Sequence, residues 1–199
     1  MAGKIWRRLI FNLRYLGRPP WDTGVSPPEL TQFLESTQPG RALDLGCGTG
    51  TNLVTLVNNR WKAVGIDQSM LSVKKARRRL KRSGVQAEVI QGDVAGKPDI
   101  EGVFDLVLDI GCYHSLSTAE RQNYRENITR WLAPDGTYLI YAHLKQQADD
   151  PHGVDESDLD LLGDKLRLQW RSEDDEHRPD GGGGFPALWA QYQKNTEGM

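Results

Sequence analysis

Gly46, Gly48 and Gly50, in Leu43-Asp44-Leu45-Gly46-Cys47-Gly48-Thr49-Gly50, leave a short stretch of backbone nearly free of side chains. A ligand can come close to the main chain there. One acid, Asp44, stands two residues before the first glycine, and two more follow apolar runs: Asp67 after Gly65-Ile66, and Asp93 in Gln91-Gly92-Asp93-Val94. A carboxylate accepts hydrogen bonds from paired hydroxyls or from an amino group. Singly, each acid also reads as a helix or turn cap. At three consecutive strand ends they exceed what capping requires.

Two ligands compete for such a turn, a dinucleotide and S-adenosylmethionine. A pyrophosphate seeks helix-terminal N–H groups, and an adjacent acid repels it. Adenosylmethionine has no phosphate and brings an ammonium and a sulfonium, which Asp44 favours. The glycines also run G-x-G-x-G, whereas the dinucleotide fingerprint needs G-x-G-x-x-G. In this reading Asp67 faces the ribose hydroxyls and Asp93 the adenine amino group.

A second cluster, Asp109, Gly111, Cys112, Tyr113 and His114, follows another apolar run. His114 alone among these titrates near neutrality, so it reads either as a base for a hydroxyl or thiol or as a loop residue making a hydrogen bond. Cys47 and Cys112 read as small buried hydrophobes rather than as redox or metal ligands. No metal site is expected. Lys74 to Arg82 holds seven basic residues in nine. It reads as the solvated face of a helix, with phosphate binding as the competing reading.

The elements that position these residues alternate between short apolar runs and helical periodicity from about residue 40 to 143, which predicts a parallel sheet with helices on its faces. Strands are expected at Arg41–Leu45, Lys62–Ile66, Val85–Ile90, Phe104–Ile110 and Thr137–Ala142. The fourth has consecutive Leu106, Val107 and Leu108, as a strand buried on both faces does. Ser69 caps a helix with the stripe Met70, Val73, Ala76 and Leu80, stopped by Gly84. Residues 94–103 are too few and too punctuated for a crossover helix. Ser117 and Glu120 form a capping box before Tyr124, Ile128, Trp131 and Leu132, and Ala133-Pro134-Asp135-Gly136 reads as a turn.

From Asp149 to Asp180 the chain carries 12 acidic and 4 basic residues. Asp155 is expected to cap a short helix through Leu162, followed by strands at Leu166–Trp170 and Ala187–Gln193 joined through a mobile Gly181–Gly184 segment. At the front, Ser26-Pro27-Pro28-Glu29 predicts a serine-capped helix carrying Leu30, Phe33 and Leu34. Ahead of it, Ile5, Trp6, Leu9, Ile10 and Leu13 make an apolar face flanked by Arg7, Arg8 and Arg14. That face reads as a lid over the site, as a membrane-surface helix or as a partner-binding helix, and the lid is favoured because the carboxyl edge of the sheet needs covering.

With 199 residues, one domain is the simplest expectation: residues 1–36 a helical lid, 39–143 the ligand-binding core, and 144–199 an acidic segment with a terminal hairpin. The formal charge of −2 gives no general attraction to nucleic acid or anionic membrane. Two cysteines are too few for a disulfide framework, so a reducing, cytoplasmic setting fits. No apolar run approaches the roughly 18 residues that cross a bilayer. Lys4, Arg7 and Arg8 are not followed by an unbroken apolar region and cleavage site, so the front does not read as a secretory signal.

The chain resembles the class I S-adenosylmethionine-dependent methyltransferases. Asp44 to Gly50 is similar to that family's first motif, Gly65-Ile66-Asp67 to its ribose-binding acid, Gly92-Asp93-Val94 to its adenine side and Phe104 to Ile110 to its fourth-strand motif. Pro19-Pro20-Trp21-Asp22-Thr23-Gly24 is similar to the small-molecule branch containing thiopurine and tellurite-resistance methyltransferases. The resemblance implies a doubly wound, Rossmann-like α/β fold of seven strands in the order 3-2-1-4-5-7-6, the seventh antiparallel. It implies a cofactor, S-adenosylmethionine, held by Asp44, Gly46, Cys47, Gly48, Gly50, Asn52, Asp67, Gln68, Asp93, Val94, Asp109 and Trp21, with adenosylhomocysteine as product. On the acceptor side it implies His114, Tyr113 and Asp109, and a small-molecule acceptor carrying a thiol or chalcogen. Adenosylmethionine binding without turnover, and oxygen methylation with His114 as base, are the alternatives. The family's base-methylating branch carries Asn/Asp-Pro-Pro-aromatic where this chain has Asp109-Ile110-Gly111-Cys112, so no nucleic-acid substrate is expected. A monomer and a homodimer both remain open.

Overall fold

The computed structural model describes residues 12–17, 19–147, 150, 153–163, 165–176 and 185–194. The apolar residues at 5–10 and the Gly181–Gly184 connection lie outside them. One seven-stranded sheet runs in the order β3-β2-β1-β4-β5-β7-β6, where β1 is Arg41–Leu45, β2 Lys62–Asp67, β3 Glu88–Gln91, β4 Phe104–Ile110, β5 Leu132–His143, β6 Leu166–Glu176 and β7 Phe185–Lys194. This is the expected doubly wound arrangement, with β7 antiparallel to both neighbours. The chain divides into two compact units after Ile100.

In the first unit β1 pairs in parallel with β2, setting Asp44 opposite Gly65, and β2 pairs in parallel with β3, setting Asp67 opposite Gln91. The third strand begins at Glu88, three residues later than its apolar pattern predicts. Helix α1, Pro28–Ser36, buries Leu30 and Leu34, and Phe33 lies 6.1 Å from the Trp61 ring. Its cap is a correction. Pro27 occupies the capping position with no side-chain bond, and Ser26 turns away to Asn52 and Thr55. Helix α2, Thr51–Asn58, buries Leu53 and Leu56.

Ser69 caps helix α3, Met70–Arg82, by accepting the Ser72 N–H. The buried stripe is Ser72, Val73, Ala76 and Leu80, whereas Met70 is 47% exposed, contrary to the pattern. Ser72 can take an interior place because its hydroxyl donates to the Ser69 carbonyl at 2.8 Å, leaving no polar group unsatisfied. Gly84 follows the helix end as read.

In the second unit β4 and β5 pair in parallel. Phe104 sits opposite Leu132 and Leu106 opposite Thr137, so Ala133–Gly136 bulges out within one strand that starts earlier than expected. Asp135, at φ 60°, makes the bend. Leu132 accordingly opens β5 rather than ending the preceding helix. That helix, α4, spans Thr118–Trp131 and buries Tyr124, Ile128 and Trp131. The Glu120 carboxylate accepts from both the N–H and the hydroxyl of Ser117, the capping interaction its spacing predicts.

Helix α5, Glu156–Gly163, is capped by Asp155, whose Oδ1 accepts the Asp158 N–H at 3.1 Å. The Ser157 hydroxyl also donates to that oxygen and holds the Asp155 carboxyl down at about 2. Arg121 of α4 forms a buried ion pair with Asp158 of α5 and donates to the Gly153 carbonyl at 2.6 Å. Strands β6 and β7 extend beyond their expected ranges and form the antiparallel hairpin. Among the described residues no helix is long and apolar enough to cross a membrane.

Candidate active site

The glycine turn is fastened to the end of β2. Gly46 and Cys47 both donate their N–H groups to the Ile66 carbonyl, at 2.8 and 3.0 Å, and Gly50 closes the turn onto the Cys47 carbonyl at 2.9 Å. A Cβ on Gly50, at φ +81°, would stand 3.0 Å from the Ala76 side chain, so the residue's smallness admits α3 beside the turn. Gly65 does the same beneath it: a Cβ there would lie 2.7 Å from Leu53 and 2.8 Å from Cys47 Sγ. Asp44 is buried under the turn, and Cys47 is buried and free of any disulfide.

Asp67 is the polar centre of this unit. Its Oδ2 accepts the Gly48 N–H at 3.0 Å and its Oδ1 the Ser69 N–H at 2.7 Å. Burial raises its pKa, against these stabilising hydrogen bonds. Four lone-pair directions on a carboxylate leave capacity beyond two N–H donors. Asp93 holds its own turn, with Oδ1 accepting the Ala95 N–H at 2.9 Å. Val94 is buried, Gln68 is half-buried, and the Asn52 Oδ1 accepts the Ser26 hydroxyl at 2.8 Å.

Residues 12–17 and 19–25 lie across this turn, and most of their contacts carried no sequence signal. Asn12 Oδ1 accepts the Ser69 hydroxyl at 2.7 Å. Tyr15 is buried, its hydroxyl 3.2 Å from where a Gly48 Cβ would stand, and burial together with the Asp67 charge raises its pKa. Trp21, 47% exposed, donates its indole N–H to that hydroxyl at 3.3 Å. Asp22 accepts the Thr49 hydroxyl at 2.8 Å and lies 3.5 Å from Arg79. The basic run is therefore more than a solvated face. Lys75 donates to the Gly17 carbonyl, Arg77 to the Val89 carbonyl and Arg79 to Thr49.

In the second unit, Asp109 is fully buried at the end of β4. It accepts the Cys112 N–H at 2.7 Å, the Tyr113 N–H at 3.0 Å and the Tyr124 hydroxyl. Burial lifts its carboxyl to about 7 in spite of these donors. Tyr113 is also fully buried, its hydroxyl receiving Arg125 at 3.1 Å. Both side chains, expected to act on ligand or acceptor, hold the bend after β4 from inside.

His114 is half-buried, stacked on His143 with ring centroids 4.4 Å apart. Its Nδ1 accepts the His143 backbone N–H at 3.1 Å. The neutral ring therefore carries its proton on Nε2, which makes that atom a donor. As arranged, His114 can take a proton only by breaking the bond to His143. Among the described residues no group of three or more His, Cys, Asp or Glu side chains could hold a metal ion.

Residues 42–136 match the Methyltransferase domain family. A 2-heptyl-1-hydroxyquinolin-4(1H)-one methyltransferase of Mycobacteroides abscessus is 28% identical over 148 residues, 71% of this chain and 65% of that protein. A probable tRNA methyltransferase 9B of Mus musculus is 34% identical over 122 residues, 60% of this chain but 26% of its own length. The chain thus spans less than two thirds of these curated relatives. A solved structure described under the conversion of a disulfide bond into a thioacetal group during echinomycin biosynthesis superposes with a TM-score of 0.82 at 19% identity, over 96% of this chain and 94% of that one. The Burkholderia thailandensis 1,6-didemethyltoxoflavin-N1-methyltransferase, bound to 1,6-didemethyltoxoflavin and S-adenosylhomocysteine, gives 0.75 at 19% identity, over 98% and 89%. Residues 42–136 are thus a methyltransferase domain, and the chain as a whole is similar in fold to the class I S-adenosylmethionine-dependent methyltransferases.

Proposed function

We propose that the protein transfers a methyl group from S-adenosylmethionine to a small-molecule acceptor whose nucleophile is already partly ionised near neutral pH, a thiol or heavier chalcogen first of all. The observation that carries the cofactor half is the buried Asp67 carboxylate tied to the glycine turn through Gly48. Its remaining lone pairs suit ribose hydroxyls, and the turn offers bare backbone. Bound adenosylmethionine supplies an electrophilic methyl on a sulfonium. This chain's residues then have to orient it and exclude water. Asp44 favours the ammonium, Asp67 the ribose, and residues 12–17 and 19–25 act as the lid, latched by Asp22 and Asn12.

The acceptor half rests on His114. With Nδ1 occupied, the ring does not stand ready as a base, which suits a nucleophile that needs none. A thiol meets that condition because part of it is thiolate near neutral pH. Its sulfur forms the new bond to the methyl carbon, the carbon–sulfonium bond breaks, and adenosylhomocysteine leaves neutral. A second reading, an acidic hydroxyl on a heteroaromatic ring, meets the same condition and is favoured by the hydroxyquinolinone named for the Mycobacteroides abscessus relative. Methylation of a nucleic-acid base is disfavoured by Asp109-Ile110-Gly111-Cys112, which lacks the base-methylating motif.

The test is release of adenosylhomocysteine from adenosylmethionine across thiols, chalcogenides, phenols, N-hydroxy heteroaromatics and unmodified tRNA. Turnover on thiols or acidic hydroxyls is the expected outcome. Turnover on tRNA alone overturns the small-molecule reading, and tight adenosylhomocysteine binding with no turnover on any class leaves a binding protein.

A further inference from the structure

Residues 22–24 and one flank of α3 enclose a groove of about 610 Å³. Lys75, Arg79 and Arg82 line it from positions i, i+4 and i+7, one face of the helix. A single acid, Asp22, lines it with them, and that acid is already engaged by the Thr49 hydroxyl and by Arg79. Arg79 spends Nη2 on Thr49 and, among the described residues, keeps a buried Nε–H with no acceptor. Buried donors of this kind are rare without a partner. Lys75 donates to the neutral Gly17 carbonyl, and among the described residues neither Lys75 nor Arg82 is paired with a carboxylate.

We propose that this groove binds a phosphate group, carried by a small metabolite or free in solution, at a site separate from methyl transfer. Three cations against one acid leave two positive charges, the match for a phosphate dianion. A guanidinium edge presents donors to two oxygens of a tetrahedral oxyanion, and a lysine adds a compact charge. The Ser83 hydroxyl at the groove's end adds a neutral donor. A cation is repelled by the same lining, and an apolar ligand finds little surface to cover.

Calorimetric titration with inorganic phosphate and with a sugar phosphate, at ionic strength held constant with chloride, reads the site directly. Saturable one-to-one binding is expected, weakened at least tenfold in the Arg82→Glu variant, whose adenosylhomocysteine affinity stays within twofold of the parent. Tighter binding of the sugar phosphate assigns the site to a metabolite; equal affinity assigns it to free phosphate. Ser83→Asp, at an exposed position, serves as a second variant and should lose binding by the charge it introduces. Binding that never saturates, or that survives both changes, overturns the proposal. So does a single-stranded oligonucleotide that binds with a steep salt dependence while phosphate itself does not, since that marks a backbone-tracking surface.

Discussion

Gly48 donates its backbone N–H to the Asp67 carboxylate at 3.0 Å, across 19 residues of sequence. The acid at the end of β2 is thus a structural partner of the glycine turn before any ligand arrives. Ser69 N–H, on the other oxygen, fixes the direction in which the remaining lone pairs point. A carboxylate held this way is oriented in advance, so less ordering is needed on binding.

Asp67→Ala therefore weakens adenosylhomocysteine binding by about 1.5 to 3 kcal/mol, the scale of hydrogen bonds to a charged group. Calorimetry on the parent and the variant checks it. Unchanged affinity removes the ribose assignment.

Gly65→Ala tests the packing under the turn. The added methyl meets Leu53 at 2.7 Å and Cys47 Sγ at 2.8 Å, and both belong to a close-packed interior. Overpacking of this kind costs about 1 to 3 kcal/mol, read as a lower urea midpoint with an unchanged slope.

Asp22→Ala tests the latch. The carboxylate joins Thr49 of the turn to Arg79 of α3 and is the polar hold of residues 19–25 on the turn. Losing about 1.4 kcal/mol of hydrogen bonding raises the open population about tenfold, so adenosylhomocysteine should dissociate about ten times faster in stopped flow. An unchanged dissociation rate rules out the lid.

The elements that sequence resolved best are those specified locally. β1 and β4 match their expected ranges because each is a run of mostly buried residues closed by a glycine, Gly46 or Gly111, and the Ser69 and Ser117 caps depend on partners three residues away. Ser26 carries the same local signal as Ser69, yet its hydroxyl goes to Asn52 and Thr55, 26 and 29 residues on. Nothing in its neighbourhood distinguishes the two cases. Tyr15 and Asn12 were invisible for the same reason: their partners Gly48 and Ser69 are brought to them by the fold alone. In the second unit, the spacing located Asp109, Tyr113 and His114 together but gave no measure of burial, and burial is what turns two of them into internal supports.

The titration of Asp109 has a definite sign. Its folded pKa of about 7 lies above the ordinary carboxyl value of 3.8, with burial as the cause, so between those pH values the native state holds more protons than the unfolded chain. Stability from this group falls as pH rises from about 4 to about 7, by at most about 1.4 kcal/mol per pH unit, and levels off above. Asp109→Asn removes the dependence, although its amide nitrogen faces backbone N–H groups and lowers stability throughout. Urea midpoints from pH 4.5 to 7.5 should show the parent's advantage over the variant shrinking as pH rises.

His114→Ala separates the acceptor classes. Because His143 N–H occupies Nδ1 at 3.1 Å, the ring is not poised to accept a proton, and a thiolate needs no such help. Methylation of small aromatic thiols should fall by less than about tenfold, within the effect of losing packing against His143. A weakly acidic phenol or alcohol depends on a positioned base, which contributes on the order of a hundredfold or more. If the parent methylates such phenols well and His114→Ala loses that activity by a hundredfold, the ring must leave its bond to His143 during turnover and serve as the base. If thiols are inert while those phenols turn over, the preference for ionised nucleophiles falls with it.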